Sequence, residues 1–439
     1  MKISVVGMGY AGAVTSACLA ELGHDVTGYD IDHHRINSLN SFNPQIFEPG
    51  LEKLIEKNCE IKRLKFQHVD DSDLDLGEIT IITVGTPSDP NGSPNLEYIW
   101  KSVEWATEHL QQNSILLMRS TVQPGTGDLI STRFCENKNI NYISCPEFLK
   151  EGEAVSDFFT PDRIIIGGNN SDAIEKVVDL HSGISSPIIK TKIIAAEMIK
   201  FASNAFLATK ISFINEMANF CEAWGADVDD VKEGLGLDHR IGKSFLNAGV
   251  GFGGSCLPKE TRAFTSLASN YGIKSNLLES VLEVNEYQSQ IPFRIIKDVF
   301  ADMNNVKVGI LGMSFKPNTD DIRESPSIKI AQTLSKLGCQ VSCFDPVSNQ
   351  KSEEKLGSSV KFETSIENLT TNKNIILLMT PWEIILNSDW HQIFKSMIDP
   401  KILFDGRNSL DPTTMKNMGF NYIGVGRGIS SSHLDHLSW

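Results

Sequence analysis

The first thirty residues leave this chain few folds to choose from. Lys2 to Val6 reads as a short β-branched strand, and Gly7-Met8-Gly9-Tyr10-Ala11-Gly12 follows it. A helical stretch from Ala13 to Leu22 is ended by Gly23, and a second strand, Asp25 to Tyr29, closes on Asp30. A G-x-G-x-x-G segment alone is a weak signal; strand, glycine turn, helix, strand and acid in this order specify a βαβ unit built around a dinucleotide. The first glycine permits the tight turn, the second admits a pyrophosphate to the backbone, and the third lets helix pack on strand. The free N–H groups opening the helix face the phosphates. Asp30 stands where an acid accepts the adenosine ribose hydroxyls and repels a 2′-phosphate, so the expected cofactor is NAD rather than NADP.

Further strands are expected at Glu78 to Val84, Ser114 to Arg119 and Tyr142 to Ser144, alternating with helices such as Leu96 to Leu110, which argues for a parallel sheet. These strands end in Gly85-Thr86-Pro87, in Ser120-Thr121-Val122-Gln123-Pro124-Gly125 and in Cys145-Pro146-Glu147-Phe148. Ligands of such sheets bind at the carboxyl ends of strands, which places Thr121 and Glu147 toward the reactive end of a cofactor. Glu151, four residues on, could share a helix face with Glu147; each of these residues taken singly fits a turn or cap equally well. From Ile193 to Trp224 runs a helical pattern without glycine or proline, long enough for a core or interface helix. Its Lys200 and Asn204 share one face. They could polarise a carbonyl or hold an oxyanion, or be a snorkelling lysine beside a surface amide.

Val306-Lys307-Val308-Gly309-Ile310-Leu311-Gly312 opens a second strand-and-glycine segment, and Gln340 to Phe344 closes on Asp345. Strands at Ile375 to Met379 and Ile402 to Phe404 complete a loose repeat of the first unit. The expected fold is α/β, with two doubly wound Rossmann-like domains joined by a long-helix connector: residues 1–190, 191–300 and 301–439. Two such folds imply two nucleotide-bearing ligands, with Lys316, Arg323 and Arg407 as the basic groups for an anion. A local basic site is needed because the chain carries a net charge of −15, which argues against nucleic acid or an anionic membrane as a partner. The eight cysteines show neither C-x-x-C nor paired Cys/His spacing, so neither a metal site nor a disulfide framework is expected, and reduced cytoplasmic thiols fit best. The N-terminal apolar stretch is not read as a secretory signal, since Gly7, Gly9 and Gly12 interrupt it.

Among those cysteines one stands apart. Gly249-Val250-Gly251-Phe252-Gly253-Gly254-Ser255-Cys256-Leu257-Pro258-Lys259-Glu260 puts a thiol in a loop of four glycines with a lysine nearby to favour the thiolate. A catalytic loop and a buried cysteine after a flexible turn both remain open on this evidence alone.

The order of motifs resembles the nucleotide-sugar 6-dehydrogenases, the UDP-glucose/GDP-mannose dehydrogenase family, over nearly the whole length. The match runs through G-T-P at Gly85–Pro87, S-T-V-x-P-G at Ser120–Gly125 and P-E-F-L-x-E-G at Pro146–Gly152. It continues through A-E-M-I-K-F-A-S-N at Ala196–Asn204, G-F-G-G-S-C-L-P-K at Gly251–Lys259 and F-K-x-x-T-x-D-x-R-x-S-P at Phe315–Pro326. Asp238 to Leu246 looks most like the UDP-glucose branch; GDP-mannose and UDP-N-acetylmannosamine remain alternatives. The resemblance implies oxidation of a sugar primary alcohol to a carboxylate with two NAD per substrate. It implies Cys256 as nucleophile, Lys200 and Asn204 on the oxygen charge, and Thr121 and Glu147 on water and proton transfer. It implies Gly7, Gly9, Tyr10, Gly12, Asp30, Arg35, Thr86, Thr121, Glu151 and Arg323 around the cofactor. Around the sugar nucleotide it implies Glu147, Phe148, Leu149, Glu151, Lys200, Asn204, Phe245, Gly253, Lys316 and Arg407, with Arg240 reaching the substrate of a neighbouring subunit in at least a homodimer. Glu260 departs from the family's usual Asp, keeping the charge one methylene further out, for assisting thioester hydrolysis or orienting Lys200. Two competing readings are a β-hydroxyacid dehydrogenase, which the cysteine loop and second α/β domain argue against, and a nucleotide-sugar-binding protein without turnover.

Overall fold

The structure, a computed structural model, describes residues 1–72, 74–89 and 92–428. It divides into two compact units, Met1–Ser203 and a second from Asn204 onward. β1 (Lys2–Val6) and β2 (Asp25–Asp30) flank a helix, Tyr10–Glu21, that starts three residues earlier than its pattern suggests. Extended Gly9 (φ −71°, ψ −163°) caps it, so the last glycine of the motif lies inside the first turn.

β3 (Leu64–His68), β4 (Ile79–Ile82), β5 (Ile115–Met118), β6 (Asn141–Ser144), β7 (Ile164–Gly168) and β8 (Ile188–Thr191) complete an eight-stranded sheet of order β3-β2-β1-β4-β5-β6-β7-β8. Central strands such as Ile-Thr-Ile-Ile and Ile-Leu-Leu-Met are buried at every residue, as strands covered on both faces must be. Ala13, Val14 and Ala17 of the first helix pack on one face. Ile99, Val103 and Ala106 of the helix Glu97–His109 pack on the other. One pairing departs from the parallel expectation: β6 and β7 run antiparallel. The connection between them turns back at the end where β6 finishes, so β7 enters the sheet from that end.

The helix Ile193–Trp224 runs its predicted length of 32 residues, and the boundary between the units falls within it. In the second unit β9 (Lys307–Leu311), β10 (Gln340–Phe344), β11 (Lys361–Phe362), β12 (Ile375–Leu378), β13 (Ile402–Asp405) and β14 (Asn421–Gly424) form a wholly parallel sheet. Its order, β11-β10-β9-β12-β13-β14, repeats the 3-2-1-4-5-6 winding of the first six strands of the other sheet. Ile310, Leu377 and Phe404 are fully buried in its core. Burial of such side chains contributes about 1.5–3 kcal/mol each. The expected domain ending at residue 439 has its last eleven residues outside those described. Among the described residues no helix is long and apolar enough to cross a membrane.

Candidate active site

The glycine motif has the stereochemistry a dinucleotide needs. Gly7 holds φ +95°, and a Cβ there would lie 2.8 Å from Val84. A Cβ on Gly12 would fall 1.9 Å from the Gly7 carbonyl oxygen, so helix and turn can be this close only without a side chain. A Cβ on Gly9 would meet nothing within 4 Å. Gly9 therefore faces open space at the helix N-terminus, which is room for a pyrophosphate. Asp30, only 5 % exposed, accepts the Met8 N–H at 2.6 Å and the Asp32 N–H at 2.9 Å, and pairs with Arg35 at 3.2 Å. Three donors leave this carboxylate room for another, so the residues present fit NAD. Thr86 is buried in the loop after β4.

Two carboxylates that the sequence reading did not single out hold the neighbouring loops. Glu48, 7 % exposed, accepts the Tyr10 hydroxyl and the N–H groups of Gly152 (2.6 Å) and Ala154 (2.8 Å). Burial and then Glu48 push the Tyr10 phenol far above its ordinary range. Glu197, on the long helix and 2 % exposed, accepts the N–H groups of Gly125 and Gly127, each at 2.7 Å. Burial raises its carboxyl to about 7, against the pull of those two bonds. It anchors the Thr121 loop, while Lys200 lies one turn further along the same helix.

Lys200 is 3 % exposed, so it is no snorkelling surface lysine. Its ammonium lies 3.5 Å from the Glu147 carboxylate and 5.2 Å from the centre of the Phe148 ring. Arg163, a residue not foreseen, stacks on the same ring at 3.7 Å. Glu147 also accepts the Leu149 N–H at 2.6 Å. Glu147 and Glu151 do not share a helix face, contrary to expectation. Pro146 opens an irregular stretch and Gly152 turns it with φ +82°, so no helix forms across them. Glu151 lies near enough to Tyr10 to raise its phenol electrostatically.

In the second unit Cys256 is half-buried at the N-cap position of a helix, Leu257–Asn270, with its sulfur 3.5 Å from the Ser255 hydroxyl. A helix N-terminus favours the thiolate over the thiol. One turn along, Glu260 (3 % exposed) accepts the Asn204 amide at 2.6 Å, and Asn204 is itself buried. The long glutamate arm is thus spent on Asn204. The glycines around the thiol are packing glycines rather than a flexible approach. A Cβ on Gly249 would lie 2.7 Å from the Gly406 carbonyl oxygen, on Gly253 2.5 Å from that of Glu324, and on Gly254 2.8 Å from the Phe315 ring. Asn215 and Asn285 hold the loop's backbone through the N–H groups of Gly249 and Phe252.

Arg407 joins this loop to its surroundings. Its guanidinium donates to the carbonyl oxygens of Met379 (3.0 Å), Gly251 (3.0 Å) and Phe315 (3.3 Å). Burial lowers its pKa to about 10, still charged at neutral pH. Lys316 lies 5.9 Å from the Phe315 ring centre. Arg323 is held in a bidentate pair by Asp321 and its carbonyl oxygen accepts the Gly254 N–H. Phe245 sits at φ 63°, a strained backbone for a bulky residue. Arg240 is largely exposed, its fork aimed by Asp238. All eight cysteines are free.

Three family models match the chain in sequence: the NAD binding domain of the UDP-glucose/GDP-mannose dehydrogenase family over residues 1–185, its central domain over 194–287, and its UDP binding domain over 309–412. The chain is 39 % identical over 431 residues to UDP-glucose 6-dehydrogenase YwqF of Bacillus subtilis, covering 97 % of this chain and 98 % of that one. It is 37 % identical to the UDP-glucose 6-dehydrogenase of Rickettsia typhi, covering 98 % and 100 %. Among solved structures, a UDP-glucose dehydrogenase from Pyrobaculum islandicum superposes with a TM-score of 0.88 at 33 % identity, covering 97 % of both chains.

Proposed function

Because the chain belongs to the UDP-glucose/GDP-mannose dehydrogenase family, we propose that it oxidises the primary alcohol of UDP-glucose to the carboxylate of UDP-glucuronate in two NAD-dependent steps. NAD, held by the Gly7–Gly12 turn and Asp30, would supply the hydride acceptor in each step. The geometry that supports this most is the thiol at a helix N-terminus with Glu260 one turn on, bonded to Asn204. In the first oxidation Thr121 and Glu147 manage the water and the proton leaving the alcohol, and Lys200 and Asn204 hold the oxygen charge. The Cys256 thiolate then adds to the aldehyde carbon, giving a thiohemiacetal whose oxygen the same two donors stabilise. Loss of its carbinol hydrogen as hydride leaves a thioester, which water cleaves to the acid and the free thiol. Splitting a four-electron oxidation in this way avoids release of a free aldehyde.

The basic residues of the second unit, Lys316 and Arg407, suit the UDP moiety, with Phe245 and Gly253 shaping its surroundings. The same reading partitions the chain at 1–190, 191–300 and 301–439, supported by where the three family matches begin and end. It also makes the protein a homodimer in which Arg240 completes the partner's site. Phe206, Phe213 and Phe220, exposed at seven-residue spacing on the long helix with Trp224 80 % exposed beyond them, offer a dimer stripe. Free thiols fit the cytoplasm.

The test is NADH formation with UDP-glucose, GDP-mannose and UDP-N-acetylmannosamine. Two NADH per UDP-glucose are expected, with the other sugars at least 100-fold lower in kcat/KM. Cys256→Ala should abolish net turnover, and Cys256→Ser should stall after an initial NADH burst with an adduct visible by intact mass. Near-normal rates in either variant would overturn the nucleophile assignment. One NADH per sugar, or equal use of GDP-mannose, would overturn the reaction or its substrate.

A further inference from the structure

One face of the second sheet is covered unevenly. Lys307 and Gly309 of β9, Gln340 and Ser342 of β10 and Lys361 of β11 fall in register on that face. On the opposite face the helix Pro326–Lys336 packs along the strands. The helix on the lysine-bearing face, Ile366–Thr370, has only five residues. Its Leu369 reaches Gly309, and what remains is a cavity of about 350 Å³ at the amino ends of β9, β10 and β11, lined among others by Lys307, Ser342, Lys361, Asn372 and Lys373. The loops that carry Arg407 and Phe315 lie at the opposite, carboxyl end of this parallel sheet, after β13 and β9.

The charges in this cavity do not balance. Lys373 is 9 % exposed, its stem laid on Gly309, and its ammonium donates to the Ser342 hydroxyl at 2.8 Å. An ammonium has three donors, and this bond uses one. The Glu363 carboxylate, which also lines the cavity, is engaged by Lys361 at 2.8 Å, and Lys307 has no ion-pair partner among the described residues. Burial, with Lys361 and Lys307 nearby, draws the Lys373 pKa down, opposed by Glu363. A buried ammonium without a carboxylate is a costly arrangement, and a buried donor lacking acceptors calls for one that the protein does not supply. The corresponding edge of the first sheet is built otherwise: Lys2 is paired with Asp75, and the Gly77 N–H donates to Ser4 at 2.8 Å. Three lysines against one carboxylate are also unusual in a chain of net charge −15.

We propose that this cavity binds a small phosphorylated anion, whose oxygens accept the free N–H groups of Lys373 and Lys307 and the hydroxyl of Ser342. Phosphate oxygens suit the site because they offer several acceptors to point-charge donors arranged around a pocket rather than in a plane. The site stands apart from the loops assigned to the sugar nucleotide and does not depend on that assignment.

The test is calorimetric titration of the full-length protein with pyrophosphate, inorganic phosphate and glucose 6-phosphate, against sodium chloride at equal ionic strength. Saturating NADH and UDP are present throughout to occupy other phosphate-binding surfaces. Saturable binding is expected, weakened at least tenfold in Lys373→Met and in Lys307→Gln. Acetylation mapped by mass spectrometry should show Lys307 and Lys373 protected by the tightest of the three anions. Unliganded Lys373→Met should melt no lower than wild type, because the change removes a buried charge. Tighter binding of glucose 6-phosphate would mark a phosphorylated metabolite as the ligand, and tighter binding of the inorganic anions would mark free phosphate. No heat beyond the chloride control would overturn the proposal. So would undiminished affinity in Lys307→Gln together with unprotected lysines, which decides the matter even if Lys373→Met fails to fold.

Discussion

The two sheets share a winding order and a device, and differ in what the device leaves free. In each, a glycine at positive φ ends the first strand: Gly7 donates to the Tyr29 carbonyl at 2.7 Å and Gly312 to that of Phe344 at 2.8 Å. In each, an acid closing the second strand accepts the N–H of the residue after that glycine, Asp30 from Met8 and Asp345 from Met313. Among the described residues Asp30 has three donors. Asp345 has six, from Met313, both groups of Ser314, Val347, Ser348 and the Trp382 indole, and is 1 % exposed. The first sheet starts its helix at Tyr10, directly on the glycine turn. The second delays its helix to Pro326 and fills the interval with the loop that carries Lys316 and Arg323. A carboxylate saturated by the protein is a structural part; one with acceptor capacity left can still recognise a ligand. Topology alone does not distinguish the two.

Removing the two acids should separate these roles. Asp345→Ala leaves buried donors unmet and is expected to cost about 3–5 kcal/mol, seen as a melting temperature lowered by roughly 10 °C, with the KM for NAD within twofold of wild type. A loss under 2 °C would mean the six bonds do not act as argued. Asp30→Ala should invert the pattern: a smaller stability loss of about 1–2 kcal/mol, a KM for NAD raised at least tenfold, and a fall of similar size in the preference for NAD over NADP. Unchanged NAD:NADP selectivity would remove Asp30 from ribose recognition. The glycines sharpen the contrast further. Gly12→Ala, which places a methyl on the Gly7 carbonyl, should lower the melting temperature by several degrees. Gly9→Ala should leave it within about 1 °C while raising the KM for NAD severalfold. Equal melting temperatures for the two variants would refute the packing account.

A last expected effect is one of pH. Glu197 has a folded pKa of about 7, above its ordinary value, so the folded protein holds a proton that the unfolded chain has released. Stability from this group is therefore fully present below about pH 4.5 and lost as pH rises through 7, by on the order of 3 kcal/mol. Glu197→Gln should flatten that part of the stability–pH curve in urea titrations; an unaltered slope would assign it to other groups.

The opening βαβ unit, the repeat at Val306 to Asp345 and the long helix were legible because each rests on local pattern: glycine spacing, β-branched runs, an uninterrupted helical stretch. β3 and β8 were not: each is short, and Ile188–Thr191 is a largely exposed edge with no buried residue to mark it. Cys256, Lys200 and Asn204 stood out through their motifs. Glu48 and Glu197 did not, because, the Tyr10 hydroxyl apart, their partners are backbone N–H groups some 70 to 107 residues away, and every residue but proline carries such a donor. The four-residue spacing of Glu147 and Glu151 suggests a shared helix face, but Pro146 and the positive φ of Gly152 keep that stretch irregular. Asp345 shows the same limit from the other side: its position was legible, its saturation was not.

Arg407 gives this last point a mechanical form. One guanidinium holds the carbonyl oxygens of Met379, Gly251 and Phe315, so three loops from distant parts of the chain share a single pivot. None can shift along a guanidinium N–H without straining the other two, and the thiol loop inherits part of its position from Arg407. Tuning the reactivity of Cys256 by substitution therefore need not begin beside the sulfur. A change that displaces the Phe315 carbonyl would reach it through a rigid linkage, and alkylation rates at Cys256 are the gauge on which that displacement would register.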